Sequence, residues 1–145
     1  MDHIVWLDAD ANELDNLILG NKSMIIRGAD RKLDIPSEIS EGDVLYLVSN
    51  MGETNLEATA TIKCIYFCGE LTVEESFETI IRNQDKLQLP DPQFERYAGK
   101  KFLALIELSD VKSIKPVHIN DYMRGQRDNW LTVGNVAEYT MSGKI

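Results

Sequence analysis

The sequence predicts an α+β protein, predominantly β: a small, mostly antiparallel barrel with two or three short flanking helices. Three observations carry that expectation. Segments rich in β-branched and aromatic residues outnumber those with helical periodicity. The element order reads β, α, β, β, β, α, β, β, without the regular alternation of a doubly wound parallel sheet. The chain of 145 residues, 43% hydrophobic and 27% charged, is long enough to bury a core without disulfides or a structural metal. It reads as one domain over 1–145, with 120–145 as a C-terminal extension.

The elements follow in order. His3–Leu7 is a short apolar strand. Asp10-Ala-Asn-Glu13 has the spacing of a capping box, and Leu14, Leu17 and Ile18 then mark one face of a short helix. Gly20 suits its C-terminal cap. Lys22–Arg27 is a strand. Gly42-Asp43 turns into Val44–Ser49, which pairs as a hairpin with a strand over Glu57–Phe67. Thr72-Val-Glu-Glu75 is a second capping box, opening a helix with Val73, Phe77, Ile80 and Ile81 as its expected core stripe. Gln88-Leu-Pro-Asp-Pro92 breaks it, and Pro92–Tyr97 can add a helical turn. Lys101–Leu108 is nearly all apolar, as a strand covered on both faces would be. Val111–Val117 is expected to be a separate edge strand, because Pro116 lacks an amide donor. Beyond Asn120 the chain is polar, with Trp130, Leu131 and Val133 as its large apolar cluster.

The net charge is −9, which disfavours general polyanion binding. It is unevenly spread: residues 1–95 hold 7 basic and 19 acidic groups, whereas 96–145 hold 8 and 5. A locally basic face for one specific anionic ligand is compatible with that. No apolar run approaches the roughly 20 residues of a membrane helix. The start lacks the basic and apolar regions of a secretory leader, so a cytoplasmic location is expected. Cys64 and Cys68 on one strand would lie roughly 13 Å apart, too far for a disulfide. With only His3 and His118 available, they make no zinc set, and buried free thiols are expected. No cofactor or metal is called for.

The stretch Leu19-Gly20-Asn21-Lys22-Ser23-Met24-Ile25-Ile26-Arg27 resembles the ASCH domain of the PUA-like superfamily, in which a helix runs into a Gly-x-Lys-x-x-x-x-Arg strand. Gly42-Asp43-Val44-Leu45, the strand Ala58–Ile65 and the late strand Phe102–Leu108 follow in the family's order. The resemblance covers about residues 10–118. It implies a PUA-like pseudo-barrel with a cleft beside the first helix, and binding of RNA or a nucleotide-like small molecule. Hydrolytic relatives act on acylated cytidine nucleosides with the motif lysine, a threonine three residues later and a glutamate further on. Lys22 matches the lysine. Ile25 stands at the threonine position and cannot carry a proton, so a binding role is expected over a hydrolytic one.

Residue chemistry supplies the candidates. Lys22 can act as a point charge and Arg27 as a bidentate anion clamp. They are five apart, so on a regular strand they face opposite sides; sharing a site requires that the helix–strand junction or a bulge turns Lys22. Arg124, Arg127 and Trp130 interleave cations with an aromatic ring, as single-stranded nucleic acid binding requires; packing of Trp130 onto the barrel is the other reading. Were the protein an amidohydrolase on an acylated nucleoside, Lys22 with Glu57 or Glu70 would carry the chemistry. Glu107 and His118 also lie near strand ends. A protein-interaction module with a basic partner is the third class.

Overall fold

In the computed structural model, which describes residues 1–33, 35–36, 38–49, 55–119 and 130–139, six strands form one curled mixed sheet, a half-barrel. In chain order come β1 (Asp2–Trp6), α1 (Glu13–Leu19), β2 (Met24–Ala29), β3 (Val44–Val48), β4 (Asn55–Phe67), α2 (Val73–Arg82), α3 (Gln84–Leu87), α4 (Asp91–Tyr97), β5 (Phe102–His118) and β6 (Trp130–Gly134), followed by a short 3-10 turn, Val136–Tyr139. The sheet order is β2-β5-β4-β3-β1-β6. Only β1 and β3 pair in parallel; the other neighbours are antiparallel. The expected β-rich, mostly antiparallel architecture is therefore present.

Alternation along β5 explains how its apolar run is covered on both faces. Leu103 and Leu105 face a cluster with Met24, Ile26, Ile80, Leu87 and Tyr97, under the three helices α2–α4. Ile106 and Leu108 face the inner core with Val5, Ile25, Leu45, Leu47 and Ile62, closed by Leu14 and Leu17 of α1. A third cluster joins Ile4, Trp6, Val48 and Leu56 to Ile119, Val133 and Val136.

Several expectations change. The separate strands at 101–108 and 111–117 are one strand, because Asp110 adopts φ 51 and forms a bulge opposite Thr59–Thr61 instead of breaking the ladder. Among the described residues the portion beyond Leu108 pairs with β4 alone, so Pro116 does lie on an edge there. Trp130–Gly134, read as part of a polar extension, is a strand beside β1. Asp10 does not cap α1. Asn12 holds the cap position with φ 51 and makes no side-chain cap, while the Asp8 carboxylate accepts from the amides of Asp10 and Ala11. The second capping box is present as read, with Thr72 and Glu75 exchanging hydrogen bonds. Its helix, however, buries only Ser76 and Ile80; Val73 and Ile81 are 61% and 60% exposed. Cys64 and Cys68 are free as expected, but half-buried rather than buried, and Cys68 lies past the end of β4. Burial still pushes the Cys68 thiol up, against the opposing charge of Arg82.

Candidate functional site

The site is built where α1 hands over to β2. Gly20 ends α1 in the left-handed region, φ 82, which a glycine reaches without strain. The Lys22 amide then donates back to the Asn16 carbonyl, so the chain folds over before β2 begins. Lys22 thus escapes strand alternation, and its side chain turns inward. Its ammonium donates to the Leu87 carbonyl and lies 3.4 Å from Glu13 Oε2. Glu13 Oε1 accepts from the Asp8 amide at 3.0 Å, and Gln93 Nε2 donates to Glu13 Oε2 at 3.4 Å. Lys22, Glu13 and Gln93 are 2%, 1% and 1% exposed.

Burial holds the Lys22 ammonium below the ordinary lysine value, and nearby Arg27 adds to that, while Glu13 opposes it. A lysine so buried releases its proton more readily than a solvated one, even with a carboxylate beside it. Just outside this pair, Asp8 and Arg96 form an ion pair at 2.8 Å.

Two clefts flank the start of α1. The larger, about 220 Å³, lies between the loop from β1 to α1 and the start of α4, lined by Asp8, Asp10, Ala11, Pro90, Gln93 and Arg96 among others. The smaller, about 110 Å³, includes Glu13, Asp15, Ser49 and Glu57 in its walls. Glu13 therefore stands between the two. Gln93 also carries an orphan: its Oε1 is buried and has no hydrogen-bond partner among the described residues.

The residues singled out from sequence divide accordingly. Lys22 and Arg27 do come within electrostatic reach of each other, through the junction. Neither lines either cleft. Arg27 is 4% exposed and donates to the Ile26 and Trp6 carbonyls. Glu57 borders the smaller cleft and accepts from Ser49 Oγ at 2.6 Å. Glu70 lies exposed between β4 and α2, and Glu107 is paired with Lys63 and Lys86. His118 lies 3.2 Å from Asn55 Oδ1. Trp130 packs in the inner core, edge-on to His3, with its indole donating to His3 Nδ1. Arg124 and Arg127 lie outside the described residues. Ile25 is fully buried in the inner core. Sequence reasoning missed Gln93 and Arg96 altogether and read Glu13 only as a capping residue. Among the described residues no three His, Cys, Asp or Glu side chains are grouped to hold a metal, and no helix is long and apolar enough to cross a membrane.

The curled half-barrel with its short helices has the fold of ASCH-domain proteins, as the sequence motifs suggested. The chain is similar to an ASCH protein from Zymomonas mobilis, with 14% identity over 91% of this chain and 87% of that one and a TM-score of 0.68. It is similar also to two point variants of that protein: one with a tyrosine replaced by phenylalanine (14% identity, 91% and 89% coverage, TM-score 0.67) and one with a serine replaced by alanine (15%, 81% and 73%, TM-score 0.61). No family model and no curated protein matches the sequence.

Proposed function

We propose that the protein binds RNA or a nucleotide-like small molecule in the larger cleft beside α1, in the cytoplasm. The observation that carries this reading is the cleft itself, backed by the buried Gln93–Glu13–Lys22 line. Concave sites with a few convergent polar groups and a displaced pKa are where small ligands bind. The ASCH-type fold supports the ligand class. Lys22 and Arg27 serve this site from behind: Lys22 holds Glu13, and Arg27 braces the β1 end from which the cleft loop departs. Phosphate contact falls to Arg96 at the wall. A net charge of −9 restricts the ligand to a mononucleotide or short single strand, since a long polyanion is repelled. The test is an NMR titration with the four nucleoside monophosphates, beside anisotropy of a labelled single-stranded RNA at low and physiological salt. Saturable shifts at residues 8–13 and 90–96 are expected, with RNA binding that weakens as salt rises. Absence of both would overturn the reading.

A second reading, hydrolysis of an acylated nucleoside, is favoured by one observation: a carboxylate does reach Lys22. It is Glu13, however, not Glu57 or Glu70. Incubation with N4-acetylcytidine followed by chromatography checks it, and no release of cytidine would exclude it.

A further inference from the structure

We infer that Gln93 is a specificity-determining residue, whose carbonyl oxygen accepts a hydrogen bond from an N–H on the edge of the bound nucleobase. The inference rests on the nucleotide-binding reading and deepens it. A glutamine amide is ambiguous by shape alone, but here chemistry fixes its orientation. The Glu13 carboxylate is paired with Lys22 and can only accept, so the amide must turn its nitrogen toward Glu13. The oxygen of this cleft-lining residue is then left buried and without a hydrogen-bond partner among the described residues. A buried acceptor without a donor is costly, and a ligand donor removes the cost. A base that presents N–H gains from this, whereas one with the same shape and no donor leaves the oxygen orphaned. Glu13 acts as a positioning residue, held in place by Lys22. The oxygen is enclosed, so the base edge must displace what closes over it.

The test compares ligands that differ in one donor. Cytidine 5′-monophosphate is set against its N4,N4-dimethyl analogue, and uridine 5′-monophosphate against its N3-methyl analogue, by NMR titration of the full chain. In at least one pair the parent is expected to bind about tenfold tighter or more. In Gln93→Leu the parent should fall to the level of its methylated analogue. Gln93→Met is the second variant, should Gln93→Leu fold poorly by circular dichroism. If parent and analogue bind the wild type equally, the inference is overturned while the nucleotide-binding reading stands. A preference that persists in both variants reflects the bulk of the methyl groups and also overturns it. If no nucleotide binds, the underlying reading fails, and the inference with it.

Discussion

Lys22 and Glu13 show how much one buried pair constrains. Each is almost wholly removed from water, and among the described residues they are each other's ion-pair partner, 3.4 Å apart. Removing one leaves the other as an uncompensated interior charge. Lys22→Ala is therefore expected to cost about 3–5 kcal/mol in urea unfolding, while the double replacement Lys22→Met with Glu13→Leu should recover most of it. A double-variant loss equal to the sum of the two single-variant losses would show the pair is not coupled. Asp43 makes a second residue-scale case. Its Oδ2 accepts from His3 Nε2 at 2.8 Å and from the Ser40 amide at 3.0 Å. Burial alone would raise its pKa, but the His3 and Ser40 hydrogen bonds and the nearby amino group of Met1 together hold it below the usual carboxylate value of 3.8. A carboxyl depressed on folding contributes stability that is present above 3.8 and lost as pH falls through its folded value. Asp43→Asn is expected to be less stable at neutral pH, with a shallower loss below pH 3.8; unfolding curves across that range check both. The tautomer follows as well: Trp130 donates to His3 Nδ1, so the ring's own N–H sits on Nε2 and faces Asp43.

At the scale of elements, α2 separates what was legible from what was not. Its start was legible because a capping box is a local device: Thr72 and Glu75 satisfy each other's amides whatever lies elsewhere. Thr72→Ala is expected to cost about 1 kcal/mol by thermal or urea unfolding. Its stripe was misread because periodicity says which residues share a face, not whether anything covers that face. Here Ile80 and Ser76 take the contact with the body, and Phe77, partly exposed, meets Phe94 edge-on at its margin. Ile81→Lys should thus change stability by no more than about 0.5 kcal/mol, and a loss of several would mean the stripe is buried after all. The same spacing at Asp10 and Glu13 failed for a different reason. Asp8 holds the loop amides, and Glu13 is drawn inward by Lys22, nine residues later, and by Gln93, eighty residues later. β6 was missed likewise, since its pairing with β1 joins opposite ends of the chain.

At the scale of the whole molecule, strand propensity and order made the half-barrel legible, but its cleft depends on contacts far apart in sequence. The glycine–lysine–arginine spacing singled out Lys22, which pairs with Glu13 behind the cleft; nothing local pointed to Gln93. Arg27 illustrates what such spacing can conceal. Read as an anion clamp, it instead spans the curl: β2 lies at one end of the sheet and β1 next to the other, yet Arg27 Nη2 donates to the Trp6 carbonyl at 3.1 Å. Its Nη1 meets the Ile26 carbonyl at 2.7 Å. The guanidinium thereby ties together two strands that share no ladder. Arg27→Met keeps much of the volume but leaves both carbonyls without this donor, each at about 1–3 kcal/mol. Stability should fall by about 2–6 kcal/mol, and the loss should be uneven. Amide exchange is expected to quicken first at Trp6, Leu7 and the β2 amides, while the β4–β5 ladder keeps its protection. Uniform quickening would place Arg27 in the general core instead. Unchanged exchange would mean that the curl is held by the apolar clusters alone.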